Sequence, residues 1–234
     1  MTRTIVVVGG TSGIGLEIAK DAIARGEQVI LTGRDLENAR AVAATLGDAA
    51  TGLAVDLSEP ESIKESLASI GPVNGLVLAA IERDANTVRD YNIARAIRLV
   101  TLKLVGYTET VHTLVDRMEA SVDTGIVLFG GRAKDAPYPG STTVSTINGG
   151  VEGLIQTLAL ELTPIRVNGI HPGIIGNSPF WANKPEGVLD GYKSRTPGGA
   201  LATMEDVVGA TRFLLDNRGV SATSIYVDRG WRTT

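Results

Sequence analysis

The sequence predicts an α/β fold: a doubly wound parallel sheet of about seven strands with helices on both faces. Three observations carry this. Short β-branched apolar runs alternate with helix-like stretches from the first residues onward, which is the pattern of a parallel sheet built from βαβ units. A glycine-rich turn joins the first such run to the first helix. The chain has 234 residues, 43% of them hydrophobic, enough for one large core, so a single domain over 1–234 is expected.

The first strand is Ile5-Val6-Val7-Val8, and Leu16 to Arg25 reads as the first helix. Between them stands Gly9-Gly10-Thr11-Ser12-Gly13-Ile14-Gly15. Glycines allow close backbone approach, and the helix N-terminus offers unpaired N–H groups and a favourable dipole, so the turn suits a pyrophosphate. Its Gly-x-x-x-Gly-x-Gly spacing differs from the general Gly-x-Gly-x-x-Gly dinucleotide fingerprint. Gln28 to Thr32 reads as the second strand, followed by Gly33-Arg34. An acidic group at this strand end would bond a ribose 2′-hydroxyl, whereas Gly33 leaves that place empty and Arg34 offers a guanidinium to a 2′-phosphate. NADP(H) is therefore expected over NAD(H).

Leu36 to Leu46 reads as a helix and Leu53-Ala54-Val55 as the third strand, ending at Asp56-Leu57. Ser58-Glu59-Pro60-Glu61 opens a further helix with a cap and a first-turn proline, and Gly75 to Ala80 is the fourth strand. At this point the chain resembles the short-chain dehydrogenase/reductase family, whose fold is Rossmann-like. The glycine turn, the Thr-Gly-Arg after the second strand and Asp56-Leu57 carry the resemblance. It continues through a strand at Gly125–Phe129, a helix at Thr146–Leu162 and Ile165 to Gly173, a strand ending in Pro172-Gly173. Met204 begins the penultimate helix, and Ile225 to Gly230 stands at the last strand, with Arg229 in place of a usual glycine. The resemblance implies that Gly9, Thr11, Ser12, Gly13, Ile14, Gly15, Arg34, Asp56, Leu57, Ala79, Ala80, Asn148, Pro172, Gly173, Ile175 and Asn177 hold the cofactor. It also implies a homodimer or homotetramer, paired through the helices Ile97–Met118 and Thr146–Leu162.

Family members use a tyrosine acid/base, a lysine that lowers its pKa, a substrate-orienting serine and an asparagine that anchors a relay water. Aligning Gly149-Gly150-Val151-Glu152-Gly153-Leu154 with the family stretch after the lysine places Val144 at the tyrosine position and Asn148 at the lysine position. Gly131 falls at the serine position and Thr101 at about the asparagine position. The Asn-Asn-Ala-Gly that normally closes the fourth strand is Leu78-Ala79-Ala80-Ile81. These departures all fall on one site. The nearby Tyr138, in Pro137-Tyr138-Pro139-Gly140, fits the loop before the helix. Gly131, Tyr138, Val144, Phe180 and Trp181 are the expected substrate pocket, and 177–203 the lobe that covers it. Arg132 and Lys134 read as loop charges, and His171 as a strand-end histidine.

Other classes are set aside by composition. There is no cysteine, and two histidines lie far apart, so no metal site is expected. Net charge is −4 with scattered basic residues, against a nucleic-acid surface. No stretch reaches the roughly 20 apolar residues of a membrane span, and the chain passes directly into its first strand, so a cytoplasmic protein without a membrane partner is expected. Two readings stay open. One is an NADP(H)-dependent oxidoreductase acting by hydride transfer on a small pre-activated substrate; the other is a non-catalytic NADP(H)- or ligand-binding protein with a sensing role. The full-length covering lobe favours the enzyme.

Overall fold

The computed structural model describes residues 2–185 and 187–231; Glu186 of the expected lobe and the termini lie outside them. Seven strands form one parallel sheet in the order β3-β2-β1-β4-β5-β6-β7. They are β1 (Thr4–Val8), β2 (Gln28–Gly33), β3 (Ala50–Ala54), β4 (Gly75–Leu78), β5 (Gly125–Phe129), β6 (Arg166–Pro172) and β7 (Ser224–Val227). Strand order reverses between β1 and β4, so a crevice opens there at the carboxyl edge, where ligands bind in such sheets.

Alternation along each strand sorts side chains to two cores. Val6 and Val8 of β1 face one side with Leu76, Leu78, Ile126 and Leu128. Ile5 and Val7 face the other with Leu31, Val77, Val127 and Phe129. The first face is covered by α3 (Ile63–Ser66), α5 (Gly106–Leu114) and α6 (Thr142–Glu161). The second carries α1 (Gly13–Ala24), α2 (Leu36–Leu46) and α9 (Met204–Asp216). Helix starts follow local chemistry. Asp35 accepts from Asn38 N at 2.6 Å to cap α2, and Thr203 with Asp206 forms a reciprocal capping box on α9.

Several boundaries differ from the sequence expectations. α1 begins at Gly13, so the glycine turn itself supplies the first helical residues. β3 runs Ala50–Ala54 and β4 ends at Leu78, because the residues beyond leave the ladder at the crevice. The helix opened by Pro60 is a 3₁₀ turn (Pro60–Ser62) running into the short α3. The expected helix Ile97–Met118 starts four residues earlier as α4 (Ile93–Val100), capped by Asn92. It passes through a π-helical segment, Thr101–Val105, before continuing as α5. α6 starts at Thr142 rather than Thr146. β7 ends at Val227, after which Arg229 adopts φ +52°, the left-handed conformation that explains a glycine preference there. Two short helices, α7 (Pro179–Ala182) and α8 (Asp190–Lys193), lie between β6 and α9.

Candidate active site

The glycine turn lies at the carboxyl end of β1, beside the end of β4. Gly9 adopts φ +84°, and a Cβ there would come 2.7 Å from the Cα of Ala80. Gly13 adopts φ +54° and faces open space. Ser12 caps α1 in an extended conformation without a side-chain bond, so the first-turn N–H groups remain free for an acceptor. The turn fits a pyrophosphate on this geometry. Thr11 packs its methyl on Gly33, where a Cβ would lie 2.7 Å away, so a side chain at that strand end would have to displace Thr11; Arg34 follows at once.

The expected adenosine end is strongly charged. Asp56, beyond β3, accepts from Ser58 N at 2.9 Å and Ser58 Oγ at 2.6 Å. Burial raises its pKa, but those bonds and the charges of Arg98 and Arg34 outweigh burial and hold it below the ordinary aspartate value. Leu57 is buried in the first core. Arg34, with its side chain 66% exposed, pairs with Glu82 at 3.1 Å. The same Glu82 pairs with Arg98 at 2.7 Å and Arg95 at 3.3 Å, and the Arg98 hydrogen bonds pull its pKa down. Glu82 escaped the sequence reading. Its only signal there was an acidic residue two positions beyond the strand-closing alanines.

At the opposite end of the crevice, α6 carries Val144 in its first turn and Asn148 one turn on, buried. Gly131 approaches Asn148 closely: a Cβ on Gly131 would lie 2.8 Å from Nδ2 of Asn148. α6 contains neither tyrosine nor lysine. Tyr138 sits in the turn before it, its N–H donating to Ser141 Oγ at 2.9 Å. Burial raises the Tyr138 phenol, with Arg83 opposing in part. Tyr138 also lines an open groove of about 500 Å³ with Thr87, Val88 and Thr142. Thr101 begins the π-helical segment and is half-buried, whereas Lys103, two residues on, is buried outright. Lys103 Nζ donates to Ala80 O at 3.2 Å and lies 2.7 Å from Tyr107 Oη. Tyr107 Oη in turn lies 2.7 Å from Leu78 O and 2.9 Å from Ala80 O. A phenol–amine pair four residues apart was present in the sequence, but nothing there says it turns inward.

His171, one residue before Pro172-Gly173, is fully buried. Gly131 N donates to its Nδ1 at 3.1 Å, so the ring proton is on Nε2 and is given to Glu152 at 2.9 Å. Ser224 Oγ donates to the same carboxylate at 2.8 Å. Burial depresses the imidazole pKa, with Glu152 opposing. This histidine thus fixes the loop after β5. Lys134 bonds Tyr226 Oη at 2.7 Å and Arg132 pairs with Asp228 at 2.9 Å, so both loop cations are engaged. Ile175 pairs with Ala202 in a single bridge. The Asn177 side chain accepts from Met204 N at 2.8 Å and donates to Glu205 at 3.0 Å, tying the start of the lobe to α9. Phe180, Trp181 and Tyr192 pack edge to face, with centroids 5.0 and 5.3 Å apart. Arg83 lies over the Phe180 ring at 3.1 Å.

A family model described as short chain dehydrogenase matches residues 3–188. The chain belongs to the short-chain dehydrogenase family. It is 30% identical to a 3-oxoacyl-[acyl-carrier-protein] reductase of Bos taurus, with 100% of each chain covered. It is also 30% identical to carbonyl reductase family member 4 of Danio rerio, with 98% of each covered. A solved short chain dehydrogenase/reductase family protein superimposes with a TM-score of 0.85 at 29% identity, covering 97% of this chain and 96% of that one. As a short-chain dehydrogenase the protein is of an oxidoreductase family that binds nicotinamide cofactors and small-molecule substrates. No helix among the described residues is long and apolar enough to cross a membrane, and no group of His, Asp and Glu there could hold a metal.

Proposed function

We propose that this protein is an NADP(H)-dependent oxidoreductase that transfers hydride to a small, pre-activated substrate without the family's tyrosine/lysine pair. The observation that carries this reading is the content of the crevice. α6 contains neither tyrosine nor lysine, and on the proposed alignment Val144 and Asn148 stand at the tyrosine and lysine positions and Gly131 at the serine position. No phenol or hydroxyl at these three positions can give a proton to a carbonyl oxygen. The bound nicotinamide supplies the hydride. The chain's own part is to place the substrate: the glycine turn holds the phosphates, Asn148 lends an amide where the family has an ammonium, and the 177–203 lobe with Phe180 and Trp181 closes over the reactants and excludes water. A conjugated alkene or iminium carries its own activation and is the substrate class that such a site serves.

NADP(H) preference rests on Arg34 beside a strand end that Gly33 leaves without a carboxylate. The exposed Ile93, Ile97 and Val100 on α4, spaced i, i+4, i+7, support a homodimer or homotetramer through the helices that pair in the family. One domain over 1–234 in a cytoplasmic setting completes the reading. The test is NADPH consumption by purified protein against a panel of ketones, enones and imines. Turnover confined to enones or imines supports the enzyme. Binding of NADPH with no turnover of any panel member favours a non-catalytic sensor, a reading that the engaged loop cations Arg132 and Lys134 also suit.

A further inference from the structure

Lys103 is the one lysine among the described residues that is buried, with 2% of its surface exposed. It lies within the π-helical Thr101–Val105 segment, a winding that costs regular hydrogen bonding and gathers at functional sites. Its two partners are neutral oxygens, Ala80 O at 3.2 Å and Tyr107 Oη at 2.7 Å. An ammonium has three N–H donors, so one finds no protein acceptor among the described residues. Among the described residues no carboxylate pairs with it. On α4, Arg95 and Arg98 turn to Glu82. On α5, Glu109 accepts from Thr113 and His112 is exposed. On α6, Glu152 turns to His171 and Ser224, and Glu61 of the 3₁₀ turn is exposed. Among the described residues Tyr107 is the titratable group that contacts it.

The place of this amine is informative. Its acceptor, Ala80, is the residue on which Gly9 of the glycine turn packs, with no room for a Cβ between them, and Ala79 N donates to Val8 O at 2.9 Å. Lys103 therefore holds the backbone that forms one wall of the phosphate-binding turn. A buried amine without an anion, separated by Ala80 from a turn suited to an anion, is a proton acceptor awaiting that anion.

We propose that Lys103 is a positioning residue of the nucleotide site that takes up a proton from solvent as the nucleotide binds, its ammonium form clamping Ala80 O against the glycine turn. The inference rests on the nucleotide-binding reading above. The arrangement serves both protonation states. As an ammonium, Lys103 donates to Ala80 O and Tyr107 Oη while Tyr107 donates to Leu78 O; as an amine, it keeps a donor for Ala80 O. Burial pulls its pKa down to about 7, so the free protein is poised to gain the proton. Binding of an anion raises the amine's proton affinity, and by reciprocity protonation tightens binding by the same factor.

Titration calorimetry with NAD⁺ and with NADP⁺, from pH 6.5 to 9 in buffers of differing ionisation heat, tests this. NAD⁺ lacks the 2′-phosphate, whose own second pKa is about 6, so a slope common to both ligands belongs to the protein. The expected result is proton uptake on binding near pH 8, with affinity flat below pH 7 and falling by up to about tenfold per pH unit above it. Lys103→Met should bind about tenfold more weakly at pH 6.5 and lose the slope; Lys103→Arg, always charged, should bind without a slope. Lys103→Met should melt no earlier than the parent at pH 7, since a desolvated charge is removed; if it does not fold, the parent's proton count decides alone. Zero proton uptake, or a slope surviving in Lys103→Met, overturns the inference while leaving nucleotide binding intact. Absence of binding by either dinucleotide overturns both.

Discussion

At Arg34, the sequence pointed to a 2′-phosphate ligand, and the structure adds a competitor. Glu82 already accepts from Arg34, and it is held by Arg95 and Arg98 as well. A charge-assisted hydrogen bond is worth about 1.5–3 kcal/mol. Arg34→Ala should therefore weaken NADPH binding by about tenfold or more and leave NADH nearly unchanged, as read by fluorescence titration; equal losses for both would remove Arg34 from the 2′-phosphate. Glu82→Gln should act in the other sense, freeing Arg34 and raising the preference for NADPH over NADH. His171 gives a prediction in pH. Its folded pKa is depressed by burial below the ordinary 6.5, so neutral His171 contributes stability that is complete above 6.5 and lost as pH falls toward the folded value. Melting temperature should drop below pH 6.5, and His171→Asn should reduce that drop; an unchanged profile would show that the imidazole is not the titrating group.

Secondary elements account for what sequence could and could not reveal. α2 was legible to the residue in its own sequence, and β5 and the start of α9 through the family resemblance; the caps Asp35 on α2 and Thr203 on α9 emerge from the structure. The α4–α5 helix was legible as a helix but not as an interrupted one. Within the π-helical Thr101–Val105 segment Leu104 meets Gly150 of α6, and just after it Gly106 packs against Leu57, contacts between residues far apart in sequence. Thr101, singled out by the family resemblance, is half-buried there, whereas Lys103 is fully buried. Glu82 was missed for a related reason: it lies in an irregular loop, and its three arginines come from β2's end and from α4. The exposed face of α4 makes its own prediction. Ile97→Lys with Val100→Lys should convert an oligomer to a monomer in light-scattering mass measurements at micromolar concentration; a parent protein that is itself monomeric there would contradict assembly through this face.

The whole molecule keeps the family's seven-stranded sheet and its crevice, and on the proposed reading the chemistry-bearing positions of α6 and the loop after β5 are those of Val144, Asn148 and Gly131. Restoring the family groups must respect their packing. A side chain at Gly131 meets Asn148, where a Cβ would lie 2.8 Å from Nδ2, so Gly131→Ser alone should be destabilising and is best combined with Asn148→Lys and Val144→Tyr. General acid catalysis contributes roughly 10²–10⁴ in rate, which sets the size of the effect to look for. The most direct test is NADPH-dependent reduction of a simple ketone by three proteins: the parent, the triple variant and Tyr138→Phe. Very slow reduction by the parent, unchanged in Tyr138→Phe and raised in the triple variant, is the predicted result. Rapid reduction by the parent that Tyr138→Phe abolishes would contradict the account and make Tyr138 a displaced catalytic tyrosine.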